Sequence, residues 1–334
     1  MMRLPWFEFR APATVAEAAQ ILAGEGPTAM LIAGGTDLIP NMKRRHQSPK
    51  MLISLRRVKE LHKLNGTLGA GLTLTEIVDS PQLREKYRGL WQAAAQVATP
   101  HLRNMGTLGG NLCLDTRCTY YNQSHEWRKA IDFCLKKDGE TCWVATASKR
   151  CVAVSSTDTA PALIALGAQV RLVSSQGERD VPLTALYNND GIDYLTRRAD
   201  EILTEVTVPD GWTSSYWKLR RRGSFDFPVL GVAAAAKLAP NGEVEELRMA
   251  LGAVASRPFL VEKAGDKALG KKLTDAVIAE VAAAVASRAK PMDNTDLDLY
   301  WRKDVVSSFV GHALREVRGD DMRETRLRIA RQAL

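Results

Sequence analysis

The chain has 334 residues, 45% of them hydrophobic and 25% charged, which is an ordinary composition for a globular protein of two or three domains. No apolar run approaches the ~20 residues needed to cross a bilayer, and the first residues lack the core of a signal peptide. We therefore expect a cytoplasmic protein with reduced thiols. The net charge of +8 comes from widely spread basic residues without a nucleic-acid motif, so neither nucleic acid nor a membrane is an expected partner.

Residues 1–210 alternate between helical and strand periods, which predicts an α/β region. Thr14 and Glu17 form a possible capping box before VAEAAQIL, where a first helix is expected. Apolar runs predict the other elements of this region: strands at AMLI, KMLISL, LGAGLTL, AQVRLVS and ILTEVTVP, and helices over GLWQAAAQVA and from about Ala160. Residues 114–152 interrupt this pattern because they are polar and charged without a clear period, and we interpret them as an insertion.

The polar connection DGWTSS separates this region from a smaller α+β domain over residues 211–334. Two strands, or a strand and a helix, are expected around Phe227-Pro228, followed by a strand at VEELRMALGAV. A long helix over LTDAVIAEVAAAVASRA and a last amphipathic helix over roughly residues 298–317 complete the predicted domain.

Two glycine pairs stand out in the first region, in AGGTDL at 33–38 and in TLGGN at 107–111. Glycine lets the backbone approach a ligand closely and present bare N–H groups to phosphate, and Thr36, Thr107 and Asn111 could add side-chain hydrogen bonds. Neither motif matches the Rossmann or the P-loop pattern, and each alone is more typical of a plain turn. Together they are what a long cofactor bridged by pyrophosphate requires.

In order along the chain, LIAGGTDL, TLGGNLC, SSTDTAPALIALGA and YWKLRRRGSFDFPVLGVAAA resemble the FAD-binding medium subunits of molybdenum hydroxylases. This family includes the flavoproteins of carbon monoxide dehydrogenase and aldehyde dehydrogenases and the central part of xanthine dehydrogenase. The resemblance covers nearly the whole chain. It implies an α+β protein: a PCMH-type FAD-binding domain of two α/β subdomains, then a smaller α+β domain like the C-terminal domain of the CO dehydrogenase flavoprotein.

The resemblance also implies which residues bind FAD, and it implies no catalytic residue on this chain. The first pyrophosphate loop would consist of Leu31, Ile32, Ala33, Gly34, Gly35, Thr36, Asp37 and Leu38, and the second of Thr107, Leu108, Gly109, Gly110 and Asn111. Asp158 would contact FAD, Lys218 would lie at the edge of the isoalloxazine, and Leu203 is a weaker correspondence. The alternatives from the residues alone are a solvated strand lysine at 218 and a core residue at 203.

All five cysteines lie between residues 113 and 151. Four of them are inside the insertion, at Cys118, Cys134, Cys142 and Cys151, whereas Cys113 directly precedes it and is expected to be a buried, unliganded thiol near the flavin. Four thiolates are the full ligand set of a [4Fe–4S] cluster, whereas structural zinc usually takes cysteines in close C-x₂₋₄-C pairs. On the residues alone a cluster, a zinc site and unliganded thiols all remain open.

The insertion, which begins NLCLDTRCTYYNQS, resembles that of one branch of the family, the β subunits of 4-hydroxybenzoyl-CoA reductases. This resemblance implies that Cys118, Cys134, Cys142 and Cys151 bind a [4Fe–4S] cluster. It implies as partners a molybdopterin-binding large subunit and a [2Fe–2S] small subunit, in a dimer of heterotrimers, with reduced ferredoxin as the electron donor. Electrons would pass through the cluster and FAD to the partners, where the phenolic hydroxyl is removed to give benzoyl-CoA and water.

Two alternative functions remain open on the sequence. One is the FAD subunit of a related molybdenum hydroxylase, in which electrons flow outward from an aldehyde or an aromatic heterocycle to FAD and an external acceptor. The other belongs to a different class: a zinc-bearing interaction module without redox activity.

Overall fold

The computed structural model describes residues 3–223 and 225–332, so the extreme ends of the two predicted domains lie outside the described residues. The first subdomain consists of strands β1 (Glu8–Arg10), β2 (Ala29–Ile32) and β3 (Met51–Ser54) with helices α1 (Val15–Glu25) and α2 (Leu38–Lys43). The strands pair in parallel in the order β1-β3-β2. Helix α1 begins where expected, because the Thr14 side chain accepts a hydrogen bond from the N–H of Glu17. The Glu17 carboxylate in turn accepts from the N–H of Ala13.

The second subdomain surrounds a four-stranded antiparallel sheet. Its strands are β4 (Leu68–Gly69), β5 (Gln169–Ser174), β6 (Gly177–Pro182) and β7 (Ile202–Thr207), and its helices are α3 (Leu74–Val78), α4 (Pro81–Lys86), α5 (Arg88–Ala95), α6 (Pro100–Arg103), α7 (Leu108–Leu112) and α9 (Thr159–Leu166). The strand order is β4-β7-β5-β6. The strand predicted over LGAGLTL is shorter than expected, because Thr73 and Glu76 form a capping box that starts α3 at Leu74.

The C-terminal domain is an antiparallel sheet covered on one face by its own helices. It contains strands β8 (Thr213–Leu219), β9 (Leu230–Leu238), β10 (Val244–Gly252) and β11 (Phe259–Leu260), and helices α10 (Asp275–Arg288), α11 (Leu299–Arg318) and α12 (Arg323–Gln332). The strand order is β11-β10-β9-β8. No helix in the described part of this chain is both long enough and apolar enough to span a membrane.

Strand β9 contributes side chains to two hydrophobic cores, one in each domain. Val232 and Ala234 pack with the domain's own helices, whereas Ala233 and Ala235 pack into the core that contains α5 and α9 of the second subdomain. Side chains alternate between the two faces of a strand, so a strand covered on both faces reads as a continuous apolar run. The run GVAAAA therefore lies between two layers, and its small side chains allow both layers to approach the sheet.

The insertion leaves and rejoins the second subdomain at one point. The N–H of Arg117 donates to the carbonyl of Val154 at 2.8 Å, and the N–H of Val154 donates back at 2.7 Å. Between them lie the helix α8 (His125–Ala130) and irregular turns. Three residues without glycine's freedom, Asp132, Phe133 and Asp138, have positive φ, so this loop contains backbone strain close to Cys134.

Candidate cofactor-binding site

A cavity of about 840 Å³ opens beside the parallel sheet, where the carboxyl end of β2 meets the start of α7. It is lined by all of residues 31–38 and by Thr107, Gly109, Gly110 and Asn111, so the two glycine loops form one site. Leu108 differs from its neighbours because it is fully buried in the core of the second subdomain. Of the other predicted residues, Asp158 and Leu203 also line the cavity.

The first glycine loop presents its backbone to the cavity. A Cβ added at Gly34 would lie 1.8 Å from the carbonyl oxygen of Met105, and Gly35 has φ +70, so both positions require glycine. The N–H groups of residues 34–37 donate to no other atom within the described residues. Free N–H groups on a glycine loop are the usual partners of phosphate oxygens.

The second glycine loop has a different physical role. The N–H of Gly109 donates to the carbonyl of Ala70 at 2.8 Å, and that of Gly110 donates to Thr107 Oγ1 at 3.1 Å. A Cβ at Gly109 would lie 2.8 Å from Ala70 Cβ. These glycines therefore allow α7 to pack against the chain after β4, and most of their donors are already used.

Asn111 connects the second loop to the segment before α9. Its Oδ1 accepts hydrogen bonds from Thr157 Oγ1 at 2.9 Å, from the N–H of Thr159 at 3.1 Å and from Thr159 Oγ1 at 2.7 Å. This amide oxygen is fully engaged, so Asn111 holds Asp158 at the cavity wall by fixing the residues on either side of it.

Asp158 and Lys218 form a buried ion pair across the two domains, with Oδ2 and Nζ 2.9 Å apart. The other carboxylate oxygen accepts from the Tyr216 hydroxyl at 2.8 Å, and Lys218 also donates to the carbonyl of Gln96 at 3.0 Å. The lysine side chain is completely buried, and its ammonium group does not belong to the described lining of the cavity. Lys218 is therefore not solvent-exposed, and its side chain does not line the cavity. Its role is to orient Asp158, which does line the cavity.

The charges of the cavity suit a phosphate-containing ligand. Its acidic side chains are paired with bases: Asp37 with Arg117, Asp115 with Lys136, Asp158 with Lys218 and Asp226 with Arg222. Three further arginines of the lining, at positions 44, 56 and 197, have no carboxylate partner in the described ranges of the chain. The balance is positive, which favours a pyrophosphate.

Sequence reasoning missed several residues of this cavity. Asp115 and Arg117 come from the first part of the insertion, and Tyr194, Leu195 and Arg197 come from the connection before β7. No local pattern marks them, since they reach the glycine loops only through long-range folding. Cys113 also lines the cavity, and burial raises the pKa of its thiol.

The four remaining cysteines come together beside this cavity. Cys118, Cys134, Cys142 and Cys151 are each less than a tenth exposed. Burial, with smaller contributions from the neighbouring Cys151 and Cys134, raises the pKa of Cys118 to about 12. Burial also raises the pKa of Cys151, to about 11, with contributions from Cys142 and Cys134. Cys118 and Cys151 also belong to one packed cluster, with Tyr121 and Ala153, although they are far apart in sequence.

The cysteines form no recognisable mononuclear metal site within the part of the chain that the structure describes. In the described residues no group of three or more His, Cys, Asp or Glu side chains is arranged to hold one. A tetrahedral zinc site with bonds near 2.3 Å would bring its sulfurs within about 3.8 Å of each other. A cuboidal cluster with one thiolate per iron would hold its four ligands farther apart.

Lys136 and Gly191 join the cysteine region to the cavity. Lys136 donates to Asp115 Oδ1 at 2.9 Å and to the carbonyl of Gly191 at 2.6 Å, and it is almost completely buried. The N–H of Gly191 donates to the carbonyl of Cys151 at 2.9 Å, and a Cβ added at Gly191 would lie 2.6 Å from Cys151 Sγ. The connection that carries Tyr194 into the cavity therefore also packs against a cysteine of the insertion.

The site as a whole fits a flavin dinucleotide. Free N–H groups and arginines without a carboxylate partner can bind the pyrophosphate, and the apolar residues of β2, Leu195 and Leu203 can cover the ring system. A two-domain α+β protein with such a cavity has the features that a dinucleotide-binding protein requires.

The comparisons with protein families identify the class more closely. Residues 5–211 match the family described as "FAD binding domain in molybdopterin dehydrogenase", and residues 214–317 match "CO dehydrogenase flavoprotein C-terminal domain". The chain therefore belongs to the FAD-binding medium subunits of the molybdenum hydroxylase and CO dehydrogenase family. The predicted fold class and the family-level resemblance are confirmed.

Individual relatives agree with this assignment. The nicotinate dehydrogenase FAD-subunit of Eubacterium barkeri is 31% identical over 279 residues, which cover 80% of this chain and 81% of that protein. The glyceraldehyde dehydrogenase medium chain of Sulfolobus acidocaldarius is 28% identical over 324 residues, covering 94% and 99%. A solved structure of carbon monoxide dehydrogenase from Hydrogenophaga pseudoflava, which lacks the Mo-pyranopterin moiety of the molybdenum cofactor, has a TM-score of 0.75 at 26% identity, covering 94% of this chain and 97% of that chain.

Proposed function

We propose that this chain is an electron-transfer subunit of a molybdenum enzyme and that its insertion holds a [4Fe–4S] cluster in addition to the FAD of the family. The observation that carries the proposal is that all four cysteines of the insertion are buried, with Cys118 and Cys151 packed in one cluster. Bound flavin and cluster supply the electron-transfer chemistry themselves.

The protein's own residues hold and insulate these groups. The free N–H groups of residues 34–37 would bind the pyrophosphate, with Asp158 and Leu203 on the cavity wall. The cluster would be ligated by the thiolates of Cys118, Cys134, Cys142 and Cys151. Because burial keeps the Cys118 and Cys151 thiols protonated at neutral pH, binding of the cluster would release their protons. No side chain of this subunit needs to act as an acid or a base.

The insertion supports a more specific proposal, an enzyme of the 4-hydroxybenzoyl-CoA reductase type. The partners would be a molybdopterin-binding large subunit and a [2Fe–2S] small subunit, assembled as a dimer of heterotrimers, with ferredoxin as the donor. The assembled enzyme would consume two electrons and two protons to replace the phenolic hydroxyl of 4-hydroxybenzoyl-CoA by hydrogen, releasing benzoyl-CoA and water. The substrate site would lie on the large subunit.

A second candidate runs electrons in the opposite direction, and the comparisons favour it. The relatives are named as dehydrogenases of nicotinate, glyceraldehyde and carbon monoxide, all of which are oxidations. In this candidate the partner subunits oxidise an aldehyde or an aromatic heterocycle, and FAD delivers the electrons to an external acceptor. The four-cysteine insertion is the observation that still supports the reductase.

The cluster is tested by anaerobic purification with analysis of iron, sulfide, zinc and flavin. Four irons and four sulfides per flavin are expected, and Cys134→Ser should lose the iron while keeping FAD. Cys113→Ser is the matched control for iron, because Cys113 precedes the insertion and packs with the second subdomain, so the iron content should not change. Zinc without iron would instead favour the non-redox interaction module.

The direction of electron flow is tested on the complex co-purified with its partner subunits. After anaerobic reduction with ferredoxin, addition of 4-hydroxybenzoyl-CoA should restore the absorbance of oxidised flavin. Two results together would establish the outward direction. The flavin of the reduced complex would stay reduced when 4-hydroxybenzoyl-CoA is added, and the flavin of the oxidised complex would be reduced by an aldehyde or a heterocycle.

A further inference from the structure

We propose that Arg117, a residue of the insertion, donates a hydrogen bond to bound FAD, so that the insertion completes the flavin site. The Arg117 side chain is 6% exposed and forms part of the cavity lining. Its Nε has no hydrogen-bond partner among residues 3–223 and 225–332. A buried guanidinium with an unused donor at a cofactor cavity is expected to donate to the cofactor, since an unpaired buried donor is unfavourable.

The guanidinium is held in place before the cofactor binds. One of its terminal nitrogens contacts the Asp37 carboxylate of the first glycine loop, and the other donates to Asn41 Oδ1 at 2.9 Å. Asn41 also donates to Asp37 Oδ2 at 3.0 Å, which closes a three-residue network. The Phe227 ring of the C-terminal domain lies 5.1 Å from the guanidinium carbon.

The backbone of Arg117 is equally fixed, because both its N–H and its carbonyl pair with Val154 where the insertion rejoins the domain. The side chain therefore starts from a rigid point of the insertion and ends at a loop of the FAD domain. Such preorganisation lowers the entropy lost when a ligand binds.

FAD offers two kinds of acceptor to this donor, the anionic oxygens of its pyrophosphate and the carbonyl oxygens of its ring. Both are oxygen acceptors for a charge-assisted hydrogen bond, which is stronger than a neutral one. The inference rests on FAD binding, which the family establishes, and not on the proposed cluster, so loss of iron in Cys134→Ser leaves it unaffected.

The test measures the FAD affinity of the deflavinated full chain by fluorescence titration. Arg117→Gln should weaken FAD binding by about 10- to 100-fold, as expected for a lost hydrogen bond from a charged group. The matched control is Arg171→Gln, because Arg171 is also paired with an aspartate, Asp180, but on the surface of the β5-β6 hairpin. This control should change the affinity by less than twofold.

A second variant, Asp37→Asn, distinguishes two explanations for weaker FAD binding: loss of a direct contact between Arg117 and FAD, and loss of the charge that neutralises Asp37. In Asp37→Asn the carboxylate is absent, so adding Arg117→Gln should still weaken FAD binding by about tenfold if the arginine touches the cofactor. No further loss in this background would overturn the proposal. ADP as a competitor then identifies the acceptor: an equal loss of ADP affinity indicates the pyrophosphate, and an unchanged ADP affinity indicates the flavin ring.

Discussion

The ion pair between Asp158 and Lys218 shows how a single pair of residues can connect a cofactor cavity to a second domain. Both side chains are almost completely buried, and each has a second hydrogen-bond partner. Removing one member would leave the other charge without compensation in a dry site.

Lys218→Met is therefore expected to lower the free energy of unfolding by about 3–5 kcal/mol, the usual effect of breaking a buried pair on one side. The measurement is urea unfolding of the apoprotein followed by circular dichroism. Arg171→Met is a suitable control, since its pair with Asp180 is solvent-exposed and should contribute little. A loss equal in the two variants would contradict the structural role given to Lys218.

His46 predicts a pH dependence of stability. Its ring stacks on Tyr121 with centroids 4.0 Å apart, and burial, followed by the charges of Arg128 and Arg44, lowers its pKa from 6.5 to about 4. A group whose pKa is depressed on folding contributes stability above its unfolded pKa, and that stability is lost as the pH falls from about 6.5 towards about 4.

From pH 7 to pH 5 this one residue should cost about 2 kcal/mol of unfolding free energy, from the shift and the linkage relation. His46→Phe should remove that part of the pH dependence, whereas His101→Gln, at an exposed position, should retain it. Urea unfolding at the two pH values measures both. An identical pH dependence in His46→Phe and the wild type would refute the assignment.

At the level of loops and strands, the connection before β7 is one of the elements through which the insertion contacts the flavin domain. Gly191 allows it to pack against Cys151, where a Cβ would lie 2.6 Å from the sulfur and 2.8 Å from Ala153 Cβ. This closeness makes the geometry of the cysteine site sensitive to a single methyl group.

If the insertion holds the proposed cluster, Gly191→Ala should reduce the iron content of the purified protein by more than half, because Cys151 would have to move from its proposed ligand position. Gly24→Ala is the matched control, since an added Cβ at Gly24 meets no atom within 4 Å and alanine suits the interior of α1. Iron and flavin analysis of both variants measures the effect. Full iron content in Gly191→Ala would contradict the tight packing.

Local patterns predicted the elements of this protein better than their roles. The Thr14 cap could be read directly, because capping is a local property, whereas the apolar run of β9 was compatible with a strand or a helix. The two glycine loops looked alike in sequence, yet one presents free N–H groups and the other packs against Ala70. The difference arises because Ala70, which directly follows β4 and is distant in sequence, lies against the second loop.

For the molecule as a whole, the shared core predicts a single cooperative unfolding transition. Tyr216, Ala233 and Ala250 of the C-terminal sheet pack in the same cluster as the helices of the second subdomain. Exposing that cluster would also leave Asp158 and Lys218 unpaired, so neither domain can unfold without destabilising the other.

Transitions followed by tryptophan fluorescence and by far-ultraviolet circular dichroism should therefore coincide, although many two-domain proteins unfold in steps. FAD should shift both by the same amount, because a ligand stabilises the whole cooperative unit. Two separated transitions, of which FAD shifts only one, would mean that the domains unfold independently.

The sequence did not predict those parts of the site that depend on which distant residues meet in the folded molecule. The first glycine loop, Asp158 and Leu203 were predicted from a family resemblance and line the cavity. Lys218 was expected at the flavin but is held behind Asp158. Arg117 was missed, since its pairing with Asp37 joins residues that no local pattern relates.

The two backbone hydrogen bonds between Arg117 and Val154 bring the ends of the insertion together, which bears on how the insertion could be acquired or lost in evolution. Residues 118–153 form a loop of about 36 residues whose ends are already adjacent. The entropy of closing a flexible loop grows only logarithmically, so halving or doubling its length changes the free energy by about 0.6 kcal/mol. A lineage could therefore gain or lose this whole segment, and any redox centre it holds, without rerouting the rest of the polypeptide.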